Sequence, residues 1–452
     1  MARTSGASEA NVGDLMLANI DQGLNGLLNQ GLDGWSLIDW LGPQNGQFPS
    51  QFTRFLTAVA TGVNALGGKM LVHFSDPQLI LRKPVQVNSY LGNNSPPHGK
   101  EGGQDLLGRL KPLGFGLCLS VPPVWVNSSK LIGQVHDGAI STVLAITDQG
   151  VGIMAGADYG SLALLEAATV SASSYSTCLG EGLFRLGSTP VGEIRVSFRG
   201  DAQGGYTGTA GGIIQRLLQR AGVASGSIGS SFSSFAAAVP VEVGCWYAGN
   251  AAEDFIQAVD EVAAAVGAWV VPDRSGTWQI GQLALPSGAA LIWYDDATIL
   301  EIDRITTRDE GGGIPAQAIT LDYARYWATQ SVFAGAVDIA SRADLGREWR
   351  QILASDATVA VSHPQAPRLS QQSLITSSTD AASEVTRRLA LRKIRADFIE
   401  CKVALQSWAS GIDIGALVGI KSSQAGFIDG KTFRYLGEDV DANGTILMHL
   451  WG

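Results

Sequence analysis

Short runs in which apolar and polar residues take turns recur along this chain. In DFIECKVALQ, Ile399, Cys401, Val403 and Leu405 alternate with Glu400, Lys402 and Gln406. That period of two predicts a strand with one face buried. KMLVHF (69–74), LILRKPV (79–85) and QVNSYL (86–91) carry a looser alternation and read as half-buried strands, punctuated by Pro77 and Pro84. NNSPPHGKEGG (93–103) is a loop by composition. LCLSVPPVWV (117–126), AISTVLAI (139–146), ALIWY (290–294) and AITLDYARYW (318–327) resume the strand pattern.

A helical period appears in four places. GSLALLEAA (160–168) predicts one or two turns. In 209–222, Ile213, Ile214, Leu217, Leu218 and Ala221 share a face. Thr209 or Thr207 can cap the start, and Gly222 sits where a helix ends in the left-handed conformation. AAEDFIQAVDEVAAAVGA (251–268) puts Phe255, Val259, Val262, Ala263 and Val266 on one side, with Glu253 and Asp254 expected in the first turn. AWVVPDRSGTWQIGQL then reads as a hairpin turning at DRSG, so this block forms a small α+β unit. DAASEVTRRLALRKIR (380–395) has acids early and Arg387, Arg388, Arg392, Lys393 and Arg395 late, which predicts a helix ending in a solvated basic cluster. The Ser-rich SGSIGSSFSSFAAA (225–238) reads as a loop or linker.

Composition narrows the class. The 452 residues are 45% hydrophobic and 16% charged, enough apolar material for several cores. Fifty-six glycines divide the apolar runs, the texture of a turn-rich β protein. The net charge of −10 and the lack of a basic stripe argue against a nucleic-acid-binding face. No apolar export segment opens the sequence and no apolar run reaches 18 residues, which predicts a chain made in a cytoplasm and not inserted in a membrane.

Candidate chemistry is thin. GDAQGGYTGTAGGIIQRLL (200–218) has the strand, glycine loop and helix layout of a phosphate cradle, but no two of its glycines are two apart and it holds no Lys. GVNALGGKM (62–70) imitates a P-loop, with one Gly too many before Lys69 and Met70 where a hydroxyl is needed. Neither predicts a cofactor. Cys118, Cys178, Cys245 and Cys401 lie at least 60 residues apart in apolar contexts and read as buried free thiols, with no metal pattern. His136-Asp137 could be half of a catalytic pair, but no GxSxG nucleophile accompanies it, and a surface or turn histidine is the expectation. No catalytic, cofactor or metal residue is assigned.

Several segments in order resemble the tail hub proteins of long-tailed bacteriophages. They are KPVQVNSYLGNN, GRLKPLGFGLCLSVPPVWVN, LIGQVHDG and CLGEGLFRLGSTPVGEIRVSFRGD, then AITLDYARYWATQ, REWRQILASDATVAVSHPQA and SSTDAASEVTRRLALRK before a strand. The resemblance spans roughly residues 70–410. It implies a β-rich, multidomain α+β architecture similar to contractile-tail baseplate hubs. Two tail-tube-like β-barrel or sandwich modules are accompanied by small α+β decorating domains. The expected divisions are a first β module over 1–95, an inserted β-rich domain over 96–190, an α+β domain over 191–295, a second tube-like module with one long helix over 296–425, and a C-terminal β segment over 426–452. The resemblance further implies a homotrimer at the tail tip of a virion. It would contact the distal tail protein, the tip or central fibre protein and the tape-measure C-terminus, with DNA only passing through its lumen. No lytic or peptidase segment is visible, so no enzymatic activity is expected.

Two other classes compete. A cell-wall polysaccharide-degrading enzyme needs two carboxylates about 5–10 Å apart. Asp295-Asp296, beside Trp293 and Tyr294, and Glu253-Asp254 are the candidates. Neighbours on a strand point to opposite faces, so a turn explains the first pair better and a helix start the second. A receptor-binding protein could use the RGD at 199–201. Its place at a strand end favours a turn.

Overall fold

The computed structural model describes residues 12–249, 253–305, 313–408, 412–441 and 444–452. Four strands open the chain: β1 (Val12–Ala18), β2 (Ser36–Leu41), β3 (Thr53–Leu66) and β4 (Lys69–Ser75). They form an antiparallel sheet in the order β1-β4-β3-β2. The P-loop imitation is the tip of the β3–β4 hairpin: Gly67 and Gly68 turn it, and Met70 is fully buried in the sheet's small core with Ala60 and Val72. KMLVHF is β4, as expected. LILRKPV is not a strand. Asp76 caps the Gln78 amide, Pro77 starts a 3-10 turn over Pro77–Leu81, and that turn takes the first half of the segment. QVNSYL is extended but makes only an isolated bridge, Ser89 to Leu110.

The next ten strands are β5 (Leu113–Val121), β6 (Val124–Asn127), β7 (Ile132–Gln134), β8 (Thr142–Asp148), β9 (Val151–Gly152), β10 (Met154–Asp158), β11 (Ser174–Cys178), β12 (Leu183–Leu186), β13 (Ile194–Gly200) and β14 (Gly244–Tyr247). They make two five-stranded sheets, β14-β5-β13-β8-β9 and β10-β11-β12-β7-β6. Helix α1 (Leu162–Ala167) is the short helix expected near 160–168.

Helix α2 (Ala210–Ala221) starts on Thr209, whose hydroxyl accepts the Gly212 N–H, and ends on Gly222 at φ +104°. Its predicted apolar face is buried. The Ser-rich stretch corrects its reading as a linker. It forms a 3-10 turn and helix α3 (Ser231–Ala238), because Phe232 and Phe235, three apart, reach the same core. Helix α4 (Phe255–Ala265) starts later than expected. Asp254 is its cap, reciprocated by Gln257, so Glu253 and Asp254 precede the first turn; residues 251 and 252 lie outside the described residues. The hairpin β15 (Ala268–Pro272) and β16 (Trp278–Gln282) turns over Asp273–Gly276. Strands β17 (Ile292–Asp295) and β18 (Ile299–Ile305) follow.

A three-stranded sheet, β20-β19-β21, comes from β19 (Ala318–Tyr323), β20 (Arg350–Ser355) and β21 (Arg368–Gln372). Helices α5 (Ile339–Leu345) and α6 (Ala357–Ser362) lie between them, and α7 (Ser378–Arg392) follows. The basic end of α7 is solvated only in part: Lys393 and Arg395 are exposed as expected, whereas Arg387 and Arg388 are drawn into pairs. Glu384 is buried and pairs with Arg387 at 2.8 Å and Arg388 at 2.7 Å. Arg388 also donates to the carbonyls of Ala264 and Ala265 at the end of α4. Two arginines therefore satisfy carbonyls that helix termination leaves without partners.

The last sheet adds β22 (Phe398–Ala404), β23 (Leu417–Ser422), β24 (Phe427–Asp441) and β25 (Thr445–Trp451), in the order β17-β23-β24-β25-β22-β18. Ile399, Cys401 and Val403 are fully buried, as the alternation required. The divisions expected at 295/296 and 425/426 both fall inside this sheet. The chain enters it through β17 and β18, leaves after β18 for the β20-β19-β21 unit, and returns with β22, which pairs β18, and β23, which pairs β17. The protein is β-rich and multidomain, with two half-barrels flanking mixed α+β material. Among the described residues no helix is long and apolar enough to cross a membrane.

Candidate assembly interface

The two half-barrels are the same unit built twice. β1 pairs with β4 from Ala18↔Lys69 to Val12↔Ser75, and β22 pairs with β25 from Ala404↔Thr445 to Phe398↔Trp451, position for position. The β3–β4 hairpin runs from Leu66↔Lys69 to Gly62↔His73, bulges, and resumes at Ala60↔Phe74. The β24–β25 hairpin runs from Asp441↔Thr445 to Gly437↔His449, bulges, and resumes at Tyr435↔Leu450. β2 and β23 then join in the same register, Ser36↔Val59 matching Leu417↔Arg434. So β1-β4-β3-β2 corresponds to β22-β25-β24-β23, His73 to His449 and Gly62 to Gly437.

One copy is finished and the other is not. In the second half-barrel, β18 lies antiparallel against β22, and β17 lies parallel against β23. In the first, β1 and β2 are sheet edges. Equivalent residues show the effect. Cys401, under β18, is 0% exposed; Leu15, its counterpart on β1, is 40% exposed. Met16 on the other face of β1 is 58% exposed. Edge strands are ordinarily blunted with Lys, Pro or a covering segment, and β1, VGDLMLA, carries none of these among its seven residues. On the flanking strands Trp293 is 50% exposed, with its indole lying over Gly419, and Leu300 is exposed; only residues 296–298 join β17 to β18, so the sheet curls until its two ends lie together.

Each polar face carries a histidine between two polar partners at equivalent positions. His73 Nδ1 is 2.6 Å from Asp14 and its Nε2 is 2.8 Å from Asn64. His449 Nε2 is 2.9 Å from Asp439 and its Nδ1 is 3.8 Å from Glu400. The His73 ring ties three strands together beside the bulge, where the ladder is locally broken, whereas His449 bonds only Asp439 and its buried Nδ1 has no hydrogen-bond partner. Sequence reading missed this repeat. Its trace is visible in KMLVHFS and TILMHLW, which share Leu and His at the same spacing after a hairpin tip.

Arg274, from the β15–β16 turn, joins both half-barrels. Its guanidinium donates to the Phe55 carbonyl at 3.2 Å and the Ile412 carbonyl at 3.1 Å, and pairs with Glu438 at 2.7 Å. It also stacks 4.4 Å from the Trp408 ring centroid. Its own carbonyl accepts the Thr57 hydroxyl. A cavity of about 370 Å³ opens beside it, lined by Leu56, Trp269, Asp413 and Tyr435 among others. Burial raises the Asp413 carboxyl above its usual range there, against the pull of Arg274.

The enzyme candidates do not converge. Asp295 makes a local turn, accepting from Ala297 N–H and the Thr298 hydroxyl. Asp296 faces away and accepts from Ser422 and Ser423, bonds that lower its pKa. Asp254 is a helix cap. His136 corrects its reading as a surface residue, because it is fully buried. Its Nδ1 accepts the Gly114 N–H, and its Nε2 lies 3.9 Å from Asp201. Burial lowers its pKa to about 4, against the opposing pull of Asp201. Asp137 bonds Asn88 instead. The RGD is closed as well: Arg199 pairs with Glu242, and Asp201 is buried between Arg216 at 3.0 Å and Arg220 at 2.8 Å. All four cysteines are free and buried, and among the described residues no group of His, Cys, Asp and Glu could hold a metal.

No family model and no curated protein matches this chain. Over most of its length it is similar to solved structures of virion and tail proteins. One belongs to the virion of a native gene transfer agent particle, at 13% identity and TM-score 0.49, covering 83% of this chain and 92% of that one. Another is a tail protein from Neisseria meningitidis, at 9% identity and TM-score 0.44, covering 98% and 88%. A third is the 43 kDa tail protein of prophage MuSo2 from Shewanella oneidensis, at 9% identity and TM-score 0.39, covering 98% and 97%.

Proposed function

We propose that this chain is a structural hub of a phage-type tail, a ring component joining a sixfold tube to a threefold tip. The observation that carries the reading is the register-identical pair of half-barrels, one completed by flanking strands and one with bare edges. Three chains would supply six such modules, enough to continue a sixfold wall with a threefold protein. The exposed polar face of the second half-barrel carries Asp295, Glu301, Asp303, Glu400 and Asp439 against Lys402, Lys421 and Arg434, an acidic balance. Facing a lumen, such a surface would let DNA pass without holding it, because a basic wall would bind phosphates. The middle α+β unit would decorate the outside. The distal tail protein, the tip or fibre protein and the tape-measure C-terminus are the proposed partners. The role is non-enzymatic: Asp295 is spent on a turn, Asp296 on Ser422 and Ser423, and Asp254 on a helix cap. Antibody labelling of intact virions, viewed by electron microscopy, tests this. Label confined to the far end of the tail is the expected result. A virion preparation that lacks the protein even after mild tail disruption would sink the reading.

A further inference from the structure

The cavity beside Arg274 lies where three parts of the chain meet. Leu56 comes from the first half-barrel, Trp269 and Ile280 from the β15–β16 hairpin, and Ile414 and Tyr435 from the second half-barrel and its β22–β23 connection. A concave space of about 370 Å³ with apolar walls, at a junction between units, has the common form of a small-ligand site. Its aromatic wall is fixed in place. A Cβ on Gly281 would collide with the Trp269 indole, and one on Gly415 would come within 3.1 Å of it, so glycine at both positions leaves room for the ring.

The charge of the lining is one-sided. Asp76, Asp273, Asp413 and Glu438 stand against the single guanidinium of Arg274, which Glu438 already holds at 2.7 Å. Asp273 accepts from uncharged donors: the Ser275 amide and hydroxyl, the Thr277 amide and the Gln279 side chain. Asp76 accepts the Gln78 amide, and burial holds its carboxyl above the usual range with no cation offsetting it. Asp413 is exposed, at the mouth, 3.8 Å from Arg274. Negative charge in excess beside apolar walls is relieved by a positive group that brings apolar surface with it. A metal ion does not fit, because among the described residues no group of His, Cys, Asp and Glu could hold one.

We infer that this cavity binds an organic cation, a guanidinium or ammonium on an aliphatic stem, with the stem against Leu56 and Trp269 and the head among Asp76, Asp273 and Asp413. A basic side chain of a partner protein and a free polyamine share this chemistry. The site stands apart from the ring, so failure of either leaves the other intact.

Calorimetric titration of the full chain with N-acetyl-arginine amide, its neutral isostere N-acetyl-citrulline amide and spermidine is the test. At low ionic strength the arginine amide should bind saturably, roughly tenfold or more tighter than the citrulline amide, because a charge-assisted hydrogen bond is worth at least that factor. Asp76→Asn with Asp413→Asn should weaken the arginine amide by a similar factor. The first change keeps an acceptor for the Gln78 amide, and Arg274 retains Glu438, so the double variant should keep or raise the thermal midpoint of the parent. Spermidine binding tighter than the arginine amide assigns the site to a free polyamine, and the reverse order to a partner's side chain. Equal binding of the arginine and citrulline amides, binding undiminished in the double variant, or no saturable binding at millimolar ligand would overturn the proposal. A lowered thermal midpoint would overturn it too, since the chain would then already supply these carboxylates with their cation.

Discussion

Arg274→Ala should loosen the first half-barrel from the rest of the chain. The side chain is 18% exposed and its partner Glu438 is 12% exposed. Removing one member of a pair this buried leaves an uncompensated charge and costs about 3–5 kcal/mol. The comparable figure for an exposed pair is roughly 0–1 kcal/mol. The carbonyls of Phe55 and Ile412 lose a charged donor as well, and the Trp408 face loses a cation worth about 0.5–2 kcal/mol. These contributions share one group and do not add, so about 3–5 kcal/mol is the expected total. A second variant isolates the cause. Arg274→Met with Glu438→Gln removes both charges while keeping the stem packed, and should cost only about 1–2 kcal/mol. A multidomain chain need not unfold in one step, so hydrogen exchange near Phe55–Thr57 and Ile412 is the suitable assay. Protection there should collapse in the single variant and largely return in the double. A loss under about 1 kcal/mol, or a double variant no better than the single, would show that the guanidinium is not the joint.

Three further outcomes are expected. Val403→Asp should abolish soluble protein, because it puts a charge on a fully buried face, whereas Lys402→Asp should stay within about 1 kcal/mol; equal tolerance at both would refute the register. His136 should make stability fall as pH drops from about 6.5 to about 4, since burial keeps the folded imidazole neutral while the unfolded one takes a proton. The loss is at most about 3 kcal/mol, and His136→Asn, which keeps an acceptor for the Gly114 amide, should flatten that slope in pH-dependent urea unfolding. Arg388→Met should cost about 3 kcal/mol by stranding Glu384 and the α4 carbonyls, measurable by thermal unfolding; a neutral result would mean Arg387 alone suffices.

Much of the local structure could be read directly. The alternation around Val403, the Thr209 cap, the Gly222 stop and the 268–282 hairpin all rest on short-range chemistry. What could not be read depended on distant partners. Ser231–Ala238 looks like a linker until the core that receives Phe232 and Phe235 is known. The arginines of α7 look solvated until the end of α4 arrives beside them. His136 is buried by strands far from it in sequence. The interface was hidden for another reason. The two half-barrels lie over 300 residues apart and match in backbone register far more than in side chains, so only their pairings reveal the duplication.

That duplication poses a sorting problem to the folding chain. By backbone alone, β1 could zip onto β25 as readily as onto β4, and β22 onto β4. One paired position separates the choices. Gly13 lies under the Phe74 ring so closely that a Cβ there would sit 2.5 Å from Cζ. Its counterpart, Ile399, is branched and faces Leu450. Exchanged, Ile399 would collide with the Phe74 ring, an overpacking worth about 1–3 kcal/mol, and Gly13 would leave a void beside Leu450. Each strand thus carries a key that fits one lock, and the steric match of Gly13 with Phe74 favours β1 on β4 over β22 on β4.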